Sequence, residues 1–215
     1  MIAIIDYGMG NLRSVQKAFE KLGHKAAITR LPREILAARG VVLPCVGAFR
    51  QAMENLRNLR LDALVKECLL AGKPFLGICL GLQLLFEESD EFGFTAGLGI
   101  IPGQVIKFAG PAFADEKQTG GLKIPHMGWN RLHKVKAAPL LAGVEEGAMM
   151  YFVHSYYGAP TDPSWIAATT EHGVEFCSAV WKDNIFALQC HPEKSGHVGL
   201  KILDNSAKSI SGNGY

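Results

Sequence analysis

Short apolar runs alternate with amphipathic stretches over the first eighty residues. Ile2–Ile5 and Val41–Leu43 are uninterrupted apolar runs, which is typical of strands that are buried on both faces. Between these runs apolar residues recur every three or four positions, which predicts amphipathic helices. One predicted helix has the apolar face Leu12, Val15, Ala18, Phe19 and Leu22, and a second has Phe49, Ala52, Met53, Leu56 and Leu59.

The same alternation continues to a glycine-flanked cysteine. A further helix is predicted over Asp62–Leu70, with a stop at Gly72, and a strand over Pro74–Ile78 then leads into Cys79. Such β-α-β alternation predicts a mostly parallel central sheet flanked by helices. Active sites in these sheets lie at the carboxyl ends of the strands, which is where Cys79 falls.

From about Gly97 to Trp181 the pattern changes to shorter β-rich segments, which predicts an antiparallel extension of the sheet. We therefore expect an α/β fold with one domain over 1–205. Residues 110–121 are predicted to form a mobile surface loop, and 206–215 a flexible tail, because both are rich in small or polar residues. The predicted strands of the extension are 103–108, 148–153, 166–170 and 177–181.

Composition, net charge and cysteine spacing argue against several classes of function. The chain has 215 residues, 48% of them hydrophobic, which is enough for a full core. A net charge of +2 with interspersed signs argues against a nucleic-acid or membrane surface, and Asp6 interrupts the first apolar run too early for a signal peptide. The cysteines form no Cys-x-x-Cys pair, which favours a reducing cytoplasm and argues against disulfides or a metal site. They are Cys45, Cys68, Cys79, Cys177 and Cys190.

Cys79 lies in Gly77-Ile78-Cys79-Leu80-Gly81, between an apolar strand and the helix-like segment 82–86. A nucleophile on a sharp turn from strand to helix, with small residues two positions before and after it, is the arrangement of a nucleophile elbow. A thiol at a helix N-terminus has its thiolate stabilised by free N–H groups. The alternative, a buried core cysteine, is the common reading of a cysteine without such flanking glycines.

A candidate base for this nucleophile lies near the end of the chain. The apolar segment 184–188 predicts a buried strand, and His191 and Glu193 follow it. Cysteine catalysis uses a thiolate, an imidazole that moves the proton and a carboxylate that orients the ring. Cys190 alternates with His191, so its side chain is expected to point into the core.

Two of these segments, Gly-Ile-Cys-Leu-Gly-Leu-Gln at 77–83 and Gln-Cys-His-Pro-Glu-Lys-Ser at 189–195, resemble the class I (triad) glutamine amidotransferases, which have a flavodoxin-like fold. Further segments at 6–12, 44–49 and 124–130 are similar to the family of glutaminase subunits of imidazole glycerol phosphate synthase, an enzyme of histidine biosynthesis. The resemblance runs from Met1 to about Asn205.

The resemblance implies a role for each matching residue. Cys79 would attack the side-chain amide of glutamine, His191 would act as general acid and base, and Glu193 would orient His191. Glutamine would be bound by Gln83, Glu91, Gly47, Ser155 and Tyr156. The oxyanion strand would comprise Cys45, Val46 and Gly47. No cofactor and no metal are implied.

The resemblance also implies a partner. The chain ends soon after Glu193, so we expect the site that uses ammonia to be supplied by a second protein. In the family that protein is a (β/α)8-barrel cyclase, bound as a 1:1 heterodimer that receives ammonia through an internal channel. Asn11, Trp129, Tyr151 and Lys194 match residues at the partner interface or the ammonia exit.

Cys45 departs from the family pattern, which has glycine at this position of Pro-Gly-Val-Gly. A peptide of this strand is thought to rotate in the family when the partner binds. A non-glycine residue in the left-handed region costs about 1–2 kcal/mol. We therefore expect Cys45 to bias the strand towards the state in which its own φ stays negative.

Three alternatives remain open at the level of sequence. A related glutaminase subunit could feed another synthase, such as one for surface-sugar amination or pyridoxal phosphate synthesis. A cysteine peptidase or γ-glutamyl hydrolase could use the same fold, although Gln83 and Glu193 favour free glutamine. A non-enzymatic interaction module would not need all three triad residues.

Overall fold

The computed structural model describes residues 1–113 and 121–211. Thirteen strands follow one another within these residues: β1 Ile2–Ile5, β2 Ala26–Thr29, β3 Gly40–Cys45, β4 Phe75–Cys79, β5 Phe86–Ser89, β6 Thr95–Ala96, β7 Ile101–Lys107, β8 His126–Lys134, β9 Ala148–His154, β10 Tyr156–Pro160, β11 Ile166–Glu171, β12 Glu175–Lys182 and β13 Ile185–Leu188. The helices are α1 Leu12–Lys21, α2 Pro32–Ala37, α3 Phe49–Asn58, α4 Leu61–Leu70, α5 Leu80–Gln83 and α6 Gly196–Ser211.

The main sheet has nine strands in the order β2-β1-β3-β4-β13-β12-β11-β8-β9. The first five of these strands are mutually parallel, and the remaining four join them by antiparallel pairing. This is the expected α/β architecture, a parallel sheet with an antiparallel extension. A second sheet has the order β10-β7-β5-β6.

Helices cover both faces of the parallel strands, which explains the uninterrupted apolar runs. Alternate residues of each strand enter two separate clusters of buried side chains. Ile2 and Ile4 face the cluster that contains α1 and α6, whereas Ala3 and Ile5 face the cluster that contains α2, α3 and α4. A strand that is buried on both faces has no polar side to alternate.

The antiparallel extension brings β9 to the end of β13. The backbone N–H of His191, three residues after β13, donates to Tyr151 O in β9 at 2.9 Å. The last strand of the extension therefore lies at the same end of the sheet as Cys79.

The segment after Cys79 differs from its prediction. The expected helix over 82–86 is a four-residue helix, α5, and the chain already enters β5 at Phe86. Leu84, Leu85 and Phe86 are all fully buried, and a fully apolar run does not distinguish helix from strand. Leu59, predicted on the buried face of its helix, is 39% exposed and lies just beyond the end of α3.

The predicted tail over 206–215 is wrong for its first six residues, which continue α6 to Ser211. Ser206, Ala207 and Ile210 are buried, and a Cβ at Gly40 in β3 would overlap Ile210. The serines and glycines of this segment concealed that apolar face. Residues 212–215 of the predicted tail, and 114–120 of the predicted loop, lie outside the described residues.

Candidate active site

Cys79 lies on a strained turn at the end of β4. Its φ of 55° and ψ of −113° belong to a region that is unfavourable for a residue with a Cβ, at a cost of about 1–3 kcal/mol. Gly77 and Gly81 serve close packing rather than the turn itself. A Cβ at Gly77 would lie 2.8 Å from the Cβ of Ala187 in β13, and one at Gly81 would overlap the backbone oxygen of Leu43 in β3. The flanking glycines therefore let the neighbouring strands approach the turn.

The expected stabilisation of the thiolate by a helix N-terminus is reduced, because α5 has only four residues. The chain leaves the helix so early because Phe86 pairs with Ile101 in the second sheet. A helix macrodipole grows from aligned peptide units, and one turn supplies few of them. Polar groups outside α5 therefore contribute to the electrostatic environment of the sulfur.

His191 and Glu193 are brought together as predicted. Glu193 lies in the 3₁₀ turn Pro192–Lys194 that follows His191, and its Oε1 is 2.9 Å from Nδ1 of the imidazole. The two side chains are 1% and 2% exposed. Because a carboxylate oxygen accepts, Nδ1 carries the hydrogen and Nε2 is the nitrogen available to a thiol.

The charges around His191 favour its protonated form. Burial lowers the pKa of the imidazole, but hydrogen bonding and charge from Cys79 and Glu193 outweigh burial and raise the pKa to about 10. Nε2 has no partner at aligned hydrogen-bond geometry among the described residues. We therefore attribute the effect of Cys79 on the ring to the closeness of its charge. An imidazolium beside a thiolate is the ion pair that activates cysteine nucleophiles.

The predicted oxyanion strand runs beside the nucleophile. Cys45 ends β3 and pairs in parallel register with Cys79. Val46 is 46% exposed, and Gly47 has a φ of 136°, a conformation that L side chains rarely adopt. A Cβ at Gly47 would also overlap Cε of Met9. The side chain of Cys45 lies outside the described atoms.

The four other residues predicted to bind glutamine lie in one region but already have partners within the chain. Gln83 is 5% exposed, and its amide nitrogen donates to Tyr156 O at 2.8 Å. Ser155 O accepts from Phe108 N, also within the chain. The carboxylate of Glu91 accepts from Phe49 N, the first residue of α3, at 2.7 Å. Glu91 therefore anchors the chain directly after the oxyanion strand.

Comparison with known proteins agrees with this geometry. The model of the family described as glutamine amidotransferase class-I matches residues 3–210. The chain belongs to the class I glutamine amidotransferases. Solved structures with the same fold include PurLQS from Thermotoga maritima, with a TM-score of 0.69, 18% identity and coverage of 98% of this chain and 97% of that one. The glutaminase domain of Trypanosoma brucei CTPS with bound acivicin has a TM-score of 0.69 and 15% identity, covering 100% and 94% of the two chains.

Relatives at higher identity share one name. The amidotransferase is 55% identical over 206 residues to the imidazole glycerol phosphate synthase subunit HisH of Geobacter sulfurreducens, covering 95% of this chain and 96% of the relative. It is 48% identical to the HisH subunit of Geobacillus kaustophilus, covering 100% of this chain and 99% of the relative.

Three of the four predicted interface residues form one cluster on the amidotransferase, in which Trp129 and Lys194 are exposed and Tyr151 is partly buried. Trp129 in β8 pairs with Tyr151 in β9, and their rings meet edge to face with centroids 6.1 Å apart. The ammonium of Lys194 lies 5.8 Å from the centroid of the Tyr151 ring. Asn11 lies apart from this cluster in the sequence and caps α1 through a hydrogen bond to Ser14 N at 3.4 Å.

A buried pair of histidines was not predicted. His154 Nδ1 lies 2.8 Å from Tyr156 O, so it must be the donor, and His154 Nε2 must accept. His126 Nδ1, 3.0 Å from that Nε2, then donates, and the amide of Asn130 donates to His126 Nε2 at 3.1 Å. This assignment makes both rings neutral. The sequence offered no signal for the pair, because the two histidines are 28 positions apart.

Three further histidines are bonded to nearby groups, and three further cysteines lie in the core. His24 and His133 are locally bonded to Asp204 and Glu146, and His172 to Lys123 O. Cys68, Cys177 and Cys190 are buried free thiols in the core. Across 1–113 and 121–211, no group of three potential ligand side chains could hold a metal ion, and no helix there is long and apolar enough to cross a membrane.

Proposed function

We propose that this chain is the glutaminase subunit of an imidazole glycerol phosphate synthase, acting in histidine biosynthesis. The observation that carries the proposal is the arrangement of Cys79, His191 and Glu193 at the carboxyl ends of two adjacent parallel strands, β4 and β13. Relatives named as the HisH subunit of this synthase match almost the whole chain at about half identity. The proposal treats residues 1–205, continued to the end of α6, as one amidotransferase domain.

The reaction follows from the roles proposed for the triad. The Cys79 thiolate attacks the side-chain amide carbon of glutamine and forms a C–S bond, and the carbonyl oxygen becomes an oxyanion near the 45–47 strand. His191 donates its proton to the leaving nitrogen, so the C–N bond breaks and ammonia departs. Water then attacks the γ-glutamyl thioester while His191 takes a proton from it. The C–S bond then breaks, glutamate leaves, and the Cys79 thiolate and the protonated imidazole of His191 are restored.

The partner is proposed to be a (β/α)8-barrel cyclase in a 1:1 complex. The cluster of Trp129, Tyr151 and Lys194 supports this assignment, because aromatic residues and long cations are common anchors at interfaces. Ammonia would pass to the cyclase, which uses it to form imidazole glycerol phosphate and an aminoimidazole carboxamide ribotide. We place the complex in the cytoplasm, where free thiols such as Cys68, Cys177 and Cys190 persist.

The test is glutamate release from glutamine by the purified chain, alone and with a barrel cyclase that carries its nucleotide ligand. We expect weak release by the chain alone, strong stimulation by the liganded cyclase, and loss of both in Cys79→Ala. Cys190→Ala is the matched control, since it removes a neighbouring buried thiol that the mechanism does not use.

Two results would contradict the proposal. Activity that does not depend on any partner would indicate an autonomous hydrolase. Stimulation by a synthase for sugar amination or pyridoxal phosphate, without stimulation by the cyclase, would assign the chain to a related glutaminase that serves another pathway.

A further inference from the structure

The sulfur of Cys79 has two polar neighbours, one a hydrogen-bond donor and the other an acceptor. The amide nitrogen of Gln189 lies 3.7 Å from Sγ, and the backbone oxygen of Val153 in β9 lies 4.0 Å from it. A carbonyl oxygen can only accept, so Val153 suits the protonated thiol. An amide N–H can only donate, so Gln189 suits the thiolate. The two protonation states of the nucleophile therefore have different partners.

We propose that Gln189 is a positioning residue of the glutaminase site: its amide donates to the Cys79 sulfur and holds the thiolate in place, while Gln83 fixes the orientation of that amide. The inference rests on the proposed role of Cys79 as nucleophile. It adds a residue outside the triad and gives Gln83 a function that does not involve contact with glutamine.

The orientation of the Gln189 amide follows from its neighbours. The amide nitrogen of Gln83 lies 2.8 Å from Tyr156 O, which requires a donor at that position. The same nitrogen lies 3.0 Å from Oε1 of Gln189 and supplies its second hydrogen there. Rotating the Gln189 amide by half a turn would place two NH2 groups against each other. The NH2 group of Gln189 therefore faces the sulfur.

Burial strengthens this contact relative to the same contact in water. Gln189 is fully buried, and Gln83 is 5% exposed. A hydrogen bond to a charged group in an environment of low dielectric is stronger than the same bond in water. The short α5 helix supplies little stabilisation to the thiolate, so a fixed donor at 3.7 Å is a substantial part of the sulfur's environment.

The position of Gln189 in the chain fits this role. It lies two residues before His191, and its backbone N–H donates to Ser178 O in β12 at 2.9 Å, which continues the ladder of β13. Residues i and i+2 of an extended chain share a face. Gln189 and His191 therefore face the sulfur from one segment, whereas Cys190 between them lies in the core.

The test measures the rate at which iodoacetamide alkylates Cys79 in the full-length chain as a function of pH, with mass spectrometry of the Cys79 peptide. Gln189→Met keeps the length of the side chain and removes the donor. We expect the pH midpoint of alkylation to rise by about one unit or more, as for loss of a hydrogen bond to a charged group. Gln189→Glu keeps the shape, places a carboxylate oxygen at the sulfur and is expected to raise the midpoint at least as far.

A double-variant cycle tests the role of Gln83. If Gln83 acts through Gln189, Gln83→Met raises the midpoint by less than Gln189→Met does, and the double variant matches Gln189→Met alone. Additive shifts would overturn the assignment of Gln83.

Cys190→Ala controls for loss of packing beside the site. An unchanged midpoint in both Gln189 variants would overturn the inference, and so would an equal rise in Cys190→Ala. The readout needs neither glutamine nor the cyclase. A chain that releases no glutamate but shows these shifts would contradict the proposed function alone.

Discussion

The position of the Cys79 side chain is set by its strained backbone conformation rather than by a long helix after it. The strained φ and ψ of this residue set the direction of its side chain, and the close packing of Gly77 and Gly81 keeps the turn in that conformation. Strain of this kind persists only where the surrounding structure enforces it. The precision of the nucleophile therefore depends on β3 and β13, which pack on either side of β4.

Cys45→Gly is expected to change the ratio of stimulated to basal glutaminase activity. Cys45 is the last residue of β3 and pairs with Cys79, and a glycine there adopts a positive φ without the cost of about 1–2 kcal/mol that a side chain imposes. The measurement is glutamate release with and without liganded cyclase.

Val42→Ala is a useful comparison for Cys45→Gly, because it perturbs the same strand at a buried position away from the turn. If Cys45→Gly left both rates unchanged, Cys45 would have no influence on the oxyanion strand.

At the scale of single residues, the positions of the three proposed catalytic residues were predictable, and their surroundings were not. Cys79, His191 and Glu193 each lie in a short motif with a chemical reason for its spacing. The sequence does carry a signal for Gln189, since it shares a strand face with His191. His126 and His154 had none, because their contact depends on the register between β8 and β9.

At the scale of elements, α5 and β3 pack closely where α5 leaves β4. Gly81→Ala would drive a Cβ into the backbone oxygen of Leu43, which cannot move without shifting β3. We expect a stability loss of about 1–3 kcal/mol and a fall of roughly 10²-fold in glutaminase activity per folded molecule, because the turn that carries Cys79 is displaced. Urea unfolding and glutamate release in the presence of the cyclase measure the two effects.

Gly23→Ala is the control for Gly81→Ala, because it introduces backbone strain without displacing a neighbouring strand. Gly23 has a φ of 82° and open space around it, so alanine there costs about 1–2 kcal/mol of backbone strain and is expected to retain activity. Full activity in Gly81→Ala would show that the turn tolerates a shift of β3.

The histidine pair joining β8 and β9 predicts acid sensitivity. Burial, followed by the charge of His172, lowers the pKa of His126 to about 4, and burial above all lowers the pKa of His154 to about 3. Below pH 6.5 the unfolded chain binds protons that the folded chain does not, so stability falls as pH falls. By pH 5 each neutral histidine accounts for a loss of about 2 kcal/mol.

The raised pKa of His191 affects stability in a different pH range. Its contribution to stability is complete below pH 6.5 and is lost as pH rises towards 10. The change in the urea midpoint between pH 6.5 and pH 5 therefore measures the effect of the buried pair, His126 and His154, without a contribution from His191. A double variant, His126→Gln with His154→Gln, is expected to be less stable at pH 7 but nearly independent of pH between 5 and 6.5. His133→Gln, at an exposed site, serves as the control. If the stability of the double variant fell between pH 6.5 and pH 5 as steeply as that of the unaltered chain, the two histidines would not be the cause of the acid sensitivity.

Among the elements, those with clear periodicity or fully apolar runs were predicted correctly, including β1, α1, β3 and α4. The elements that were not predicted include the helices α2 and α6 and the strands β2, β5, β6, β8 and β10. The four residues of β2 are only partly buried except Thr29, so they show neither alternation nor a long apolar run. The apolar face of α6 is interrupted by small and polar residues, and its burial depends on packing against β3 and the turn at Leu140–Leu141.

The whole molecule presents an apolar surface beside the active site. Met127 and Trp129 of β8 and Met149 of β9 are 63%, 53% and 41% exposed. Trp129→Ala is expected to weaken binding of the cyclase by about tenfold or more, as for an aromatic anchor worth over 1 kcal/mol. Basal glutamate release should stay unchanged. Isothermal titration against the cyclase measures the affinity.

Leu70→Ala is the matched control for Trp129→Ala. Leu70 is 86% exposed and ends α4, which leads to the start of β4, whereas Cys79 lies at the other end of that strand. Equal affinities for Trp129→Ala and the unaltered chain would place the interface elsewhere.

The position of β13 has a consequence during synthesis. This strand inserts between β4 and β12, and its register with β4 joins residues more than one hundred positions apart. Until the ribosome has released residue 188, β4 keeps an unpaired edge, and Cys79 has no neighbouring histidine from the segment that follows. Such non-local pairing is slow to form, and open edges invite aggregation. A nascent or truncated chain without this segment therefore carries a thiol without a base and releases no ammonia.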